Sequence, residues 1–170
     1  MIPAYFWKHV PVRWRPSFLK LGLNWFPAYR ATGARLVEVS RDLKRIVVRL
    51  PLRRHTRNGA GTLFGGSLYS ATDPIFTLLM AANLGPDYIV WDKSASIRYR
   101  KPGREALLAE FVVTEADISG VRAEVAREGQ CNRCFTVNFC DSAGVVHVEI
   151  EKTVYIASKQ HYKGKAGRSD

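Results

Sequence analysis

Six stretches of the chain alternate polar and apolar residues with the period of two expected of half-buried strands, and three others show helical spacing. In Arg45–Leu50, Ile46, Val48 and Leu50 share one face while Arg45, Val47 and Arg49 share the other. The turn-prone pair Arg41-Asp42 joins this run to Leu36–Ser40, which predicts a hairpin. Ser67–Leu84 is apolar nearly all round and ends at Gly85-Pro86, the pattern of a buried helix. Four further strands are predicted over Tyr88–Lys101, Ala106–Glu115, Arg133–Asp141 and Val145–Ile156, the last two joined by the turn Asp141-Ser-Ala-Gly144. Ile118–Glu128 reads as a short helix, capped by Asp117 or Ser119 and stopped by Gly129. One apolar helix among six strands predicts an α+β fold, with an antiparallel sheet wrapped around that helix.

The segment before the first hairpin has a different character. Tyr5, Phe6, Trp7, Trp14, Phe18, Leu19, Leu21, Leu23, Trp25, Phe26 and Tyr29 are interleaved with Lys8, Arg13, Arg15, Lys20 and Arg30. Pro16 suits the first turn of a helix that Pro27 ends. Such a helix either caps the core with its apolar stripe or lies against a lipid surface. Residues 1–57 carry thirteen Lys or Arg against two acids, whereas residues 58–170 carry thirteen of each. The whole excess of +11 therefore sits in the N-terminal third and points to an anionic partner. No recognition motif supports nucleic acid as that partner.

A length of 170 residues with 46% hydrophobic content fits one domain with a real core. We expect an N-terminal extension over 1–33, a main domain over 34–157 and a flexible basic tail over 158–170. Three cysteines argue against a disulfide framework and favour a reducing compartment. With no basic-then-apolar leader evident after Met1, the expected location is cytoplasmic. Cys131-Asn-Arg-Cys134 has zinc-like spacing, but only Cys140 and His147 are at hand to complete a site, so no metal is expected. His55 and His147 fall in no triad or metal pattern and are read as structural or surface groups.

The residues leading into the apolar helix are more telling. Asn58-Gly-Ala-Gly-Thr-Leu-Phe-Gly-Gly-Ser-Leu-Tyr-Ser-Ala-Thr-Asp73 resembles the Asn-x-x-Gly-x-x-His-Gly-Gly-(x)₆-Asp segment of phenylacetyl-CoA thioesterase-type hotdog enzymes, with Asn58, Gly61, Gly65, Gly66 and Asp73 at that spacing. The strand exit Ile97-Arg-Tyr-Arg-Lys-Pro is similar to that family's strand ending in Tyr-Leu-Arg-Pro. The resemblance covers Ala34–Ile156 and departs at Phe64, where the family carries its motif His. It implies the hotdog fold, a homodimer or homotetramer with its site between protomers, and hydrolysis of a thioester of coenzyme A or acyl-carrier protein. No organic cofactor is implied, and no hydratase signature can be assembled around the helix.

On that reading the helix start supplies unpaired N–H groups and a partial positive charge, with Gly66 N–H as the candidate oxyanion donor. Asp73 is the only acid in Asn58–Pro86 and serves as general base or nucleophile. Asn58 holds the attacking water or the carbonyl. Gly65, Phe64 and Ser67 would line the substrate, while Arg98, Arg100, Lys101 and Arg104 would meet its phosphates. A plainer role for Asp73 is to cap the helix restarted at Pro74. Hydroxyls such as Ser67, Ser70 and Thr72 more often bond backbone carbonyls than attack. Phe64 in place of His favours the alternative of a non-catalytic acyl-CoA or lipid-binding module. The basic, aromatic N-terminus is a candidate for peripheral membrane contact.

Overall fold

The computed structural model describes residues 10–166. Six strands form one antiparallel sheet in the order β1-β2-β4-β5-β6-β3. They are β1 (Arg35–Val39), β2 (Arg45–Leu50), β3 (Tyr88–Tyr99), β4 (Leu107–Val112), β5 (Gln130–Cys140) and β6 (Val146–Ser158). Six helices are described as α1 (Arg15–Trp25), α2 (Pro27–Ala31), α3 (Gly65–Ser70), α4 (Ile75–Leu84), α5 (Glu115–Glu128) and α6 (Lys159–Ala166). The curved sheet wraps α4, which is the hotdog arrangement.

Alternation decides which side of each strand meets the helix. Ile46, Val48 and Leu50 on β2, Leu107, Ala109 and Phe111 on β4, and Val148, Ile150, Val154 and Ile156 on β6 are all buried. The α4 side chains Ile75, Phe76, Leu79 and Met80 fill the hollow they leave. Phe76 stacks on Phe135 at 4.7 Å and meets the edge of Phe111 at 5.1 Å, so one ring ties the helix to two strands.

Three expectations change. The predicted single helix Ser67–Leu84 is two helices, separated at residues 71–74 around Pro74, which cannot donate the helical hydrogen bond. The cap of α5 is Thr114, whose hydroxyl and backbone N–H pair reciprocally with Asp117; neither Asp117 nor Ser119 is the cap residue. Gly129 does stop that helix, with φ of 78°. The tail expected to be flexible from residue 158 continues β6 through Ser158 and then forms α6. His161 N–H bonds Ser158 Oγ at 3.2 Å, and the Tyr162 ring meets Trp91 edge-on, which seats the helix on the sheet.

The N-terminal segment is stitched into the same core. Leu19, Leu23 and Tyr29 belong to one buried cluster with the sheet. Asn24 behaves like an extra strand residue beside β1, donating to Leu36 O at 3.0 Å and accepting from Leu36 N at 2.8 Å. Tyr29 sends its hydroxyl to Ala71 O at 3.0 Å, satisfying a carbonyl left open where α3 ends. Burial pushes the Tyr29 phenol up, so it remains the donor at any ordinary pH. The expected aromatic residues Tyr5, Phe6 and Trp7, with Lys8, lie outside the described residues, as does the end of the tail at 167–170.

These contacts set two measurable costs. Phe76→Ala should lower unfolding free energy in urea by about 3–5 kcal/mol, because two ring contacts and a filled hollow are lost together. Tyr29→Phe should cost about 1–3 kcal/mol by orphaning Ala71 O. A Tyr29→Phe protein as stable as the parent would show that the N-terminal segment is not anchored there.

Candidate active site

The glycine-rich segment folds back on itself through an isolated bridge between Arg57 and Leu63. Asn58 organises this loop from inside. Its Oδ1 accepts from Ala60 N and Thr62 N, and its Nδ2 donates to Thr62 Oγ1 and Leu63 O. Both ends of the amide are therefore occupied within the loop, which corrects the expectation that Asn58 holds a water or a carbonyl. Phe64 N donates to Thr56 O and Leu63 N to Gly103 O, each at 2.8 Å. The second bond joins the glycine loop to the chain that leaves β3.

Helix α3 begins at Gly65 with no side-chain cap. Leu68 N is bonded to Phe64 O, so the N–H groups of Gly65, Gly66 and Ser67 precede the first intrahelical bond. Close approach explains both glycines. A Cβ on Gly65 would lie 2.8 Å from the Tyr99 hydroxyl, and one on Gly66 would collide with the Phe64 ring. Tyr99, on the helix-facing side of β3, donates to Gly65 O at 3.1 Å. Gly66 and Phe64 are exposed, whereas Ser67 is buried beneath them.

Asp73 follows the C-terminal end of α3. It is exposed, and its carboxylate accepts no hydrogen bond from the described residues. The N-cap of α4 is Pro74 and no side chain caps that helix, so the capping role considered for Asp73 is not the one it has.

A second carboxylate lies close by, on the inner face of β3. Asp92 pairs with Lys152 of β6, a lysine only 2% exposed in an otherwise apolar register. Burial raises the Asp92 carboxyl above the usual range; the Lys152 hydrogen bond and charge oppose this, and the Asp73 charge adds to it. The other oxygen, Asp92 Oδ1, is buried with no partner. Neither Asp92 nor Lys152 was selected from the sequence, although the run Val148, Ile150, Lys152, Val154, Ile156 announces a charge on an inward face.

The basic residues divide into two groups. Arg98 and Arg100 lie around Glu149, with Arg100 bonded to it at 2.7 Å, and their charges hold the Glu149 carboxyl below its usual range. Lys101 and Arg104 are exposed beside Gly103, which touches the glycine loop. His147, as expected, is structural: it bridges Pro102 O at 3.1 Å and Asp141 at 2.9 Å. Cys131 is buried and Cys134 exposed, so the zinc-like pair is split between the two faces of β5.

Over residues 16–156 the chain matches the family described as a domain of unknown function, DUF4442. The chain belongs to the DUF4442 family. The DUF4442 domain thus takes in α1 and α2 as well as the sheet. No curated protein matches the chain by sequence. Solved structures share the fold at low identity. A Pseudomonas aeruginosa protein described as a probable thioesterase is 16% identical, with a TM-score of 0.73 over 88% of this chain and 97% of that one. A Haemophilus influenzae thioesterase is 13% identical, with a TM-score of 0.61 over 82% and 88%. Mouse thioesterase superfamily member 2 is 13% identical, with a TM-score of 0.59 over 83% and 96%.

The buried pair makes a prediction with a sign. Asp92→Asn should cost roughly 3–5 kcal/mol by leaving the Lys152 charge unpaired, and adding Lys152→Met should restore much of the loss. In the parent, at pH values between the ordinary carboxylate range and the raised folded value, the folded state keeps a proton on Asp92 that the unfolded chain has already released. The contribution of this group to stability is therefore full below the ordinary carboxylate range and falls as pH rises through the raised folded value. Urea titrations across pH should show that fall in the parent and not in the double variant.

Proposed function

We propose that the chain is a thioester hydrolase acting on an acyl-CoA or acyl-carrier-protein substrate. The observation that carries this is one short helix, α3, with uncapped glycine N–H groups at its start and an unpaired, exposed carboxylate just past its end. The thioester carbonyl oxygen would sit on the Gly66 N–H, which stabilises the negative charge that develops there. Asp73 would take a proton from water as that water attacks the carbonyl carbon. The C–S bond then breaks, releasing the acid and the thiol. Asn58 acts as a positioning residue by holding the loop. Lys101 and Arg104, at the mouth, suit the phosphates of the carrier. Structural neighbours named as thioesterases support the reading at the level of the fold.

The site is best completed by a second copy. Among the described residues, strand β3 has no strand partner on its outer side, while the outer edge of β1 is occupied by Asn24 and Lys20. Pairing of two β3 edges would extend the sheet and bring the partner's surface towards the open side of α3.

Phe64 favours a second reading. Its ring stands against Gly66, at the position where the resembling enzymes have His, so the chain could hold an acyl thioester without cleaving it.

Release of free thiol from a panel of acyl-CoAs separates the two. Hydrolysis by the parent should fall at least about a hundredfold in Asp73→Asn, with the melting temperature unchanged. Full activity in both Asp73→Asn and Asn58→Ala would overturn the assignment. Tight binding by calorimetry with no thiol release would establish the binding module instead. In that case Phe64→His should give the first measurable turnover.

A further inference from the structure

Helix α1 has two apolar faces, and only one of them is covered. Pro16, Leu19 and Leu23 are buried towards β1. Along the other side Trp14, Phe18, Leu21 and Trp25 recur at spacings of four, three and four, which align them in one stripe. All four are exposed, from 44% at Phe18 to 67% at Trp25, and Val12 and Phe26 extend the stripe at both ends. Isolated exposed apolar residues are ordinary, but a contiguous aromatic stripe marks an interaction surface.

Charge indicates what covers it. The first acidic residue of the chain is Glu38, and the 37 residues before it hold six Lys or Arg. Two of these cations stand at the ends of the stripe. The Arg13 guanidinium lies 5.8 Å from the Trp14 ring centroid and that of Arg30 lies 5.7 Å from the Trp25 ring. Large aromatics that reach into the acyl boundary, framed by cations that meet headgroups, form the composition of a helix lying in a lipid interface. No described helix is long and apolar enough to cross a membrane, so the contact is with one surface. The helix is also held rigidly for it: Asn24 and Lys20 fix its inner side to the backbone of β1 at Leu36 and Val37, leaving the stripe facing outward.

We infer that the Trp14–Trp25 stripe docks the protein on an anionic lipid bilayer. This goes beyond thioester chemistry and stands or falls separately from it, because none of these residues belongs to the candidate active site.

Co-sedimentation of the full chain with vesicles tests the inference. Phosphatidylcholine vesicles containing phosphatidylserine should bind the parent, pure phosphatidylcholine should bind it more weakly, and added salt should release it. Phe18→Ser/Leu21→Ser/Trp25→Ser should weaken binding to anionic vesicles by at least about tenfold while leaving the melting temperature in place, since the replaced side chains are exposed. Arg13→Gln/Arg30→Gln, which leaves the apolar stripe intact, should weaken binding to anionic vesicles and flatten its salt dependence. No binding by the parent, or equal binding by the serine variant, would overturn the inference. So would light scattering in which the serine variant, without vesicles, falls from a larger species to a smaller one, because the stripe would then be a contact between copies.

Discussion

Almost everything in this molecule depends on burying one helix. Helix α4 is apolar over most of its circumference, with only Ala81 exposed, and a single flat layer can cover only one side of it. The sheet curves around it, and Phe76, wedged between Phe111 and Phe135, sets how closely the two approach. The chain that enters α4 from the glycine loop does not continue as one regular helix, because Pro74 cannot donate the helical hydrogen bond. It breaks at residues 71–74, and the open carbonyl at Ala71 is met by Tyr29 from the N-terminal segment. Core packing, the placement of Asp73 and the docking of α2 are consequences of one another.

That hollow contains a single charged intrusion. Lys152 lies in register with valines and isoleucines, and its charge is tolerable because Asp92 reaches it from the neighbouring strand. Bringing both ions out of water is costly, and apolar replacements of similar volume would fill the space at least as well. The pair borders the side of α3 and α4 that carries Asp73, as its influence on the Asp92 carboxyl shows. A polar cluster at this margin keeps an electrostatic field next to an exposed carboxylate, where a fully apolar wall would supply none.

Much of this was legible in the sequence, and the exceptions have physical causes. Strands were readable because each has one buried face, so a period of two survives in the residue order. The glycine loop and its helix were readable because Tyr99 and Phe64 approach the backbone at Gly65 and Gly66, where a Cβ would force those rings to move. Asp73 was found as a lone acid, but its exposure was not readable: it depends on how the break at Pro74 turns the chain, which residue order does not record. Asn58 stood out in the sequence, but its bonds within the loop were not readable there, since an amide that organises a loop looks the same in sequence as one that binds a ligand. The partnership of Asp92 and Lys152 spans sixty residues and appears only once β3 is laid against β6. The sequence left two readings open for the N-terminal helix, because an eleven-residue helix has room for one face against β1 and another exposed, and residue order does not say which face packs.

The two margins of the sheet differ in a way that limits growth. On the β1 side, Asn24 supplies the hydrogen bonds a neighbouring strand would have made, and Lys20 blocks the next carbonyl. On the β3 side, no other strand among the described residues pairs with the outer edge of this twelve-residue strand. A ribbon closed along one border can be lengthened a single time. Once the free border is taken, neither outer margin of the joined sheet offers another row of donors and acceptors. The outer border of β1 is thus closed to further strand pairing at Leu36 and Val37 by two side chains of α1, Asn24 and Lys20.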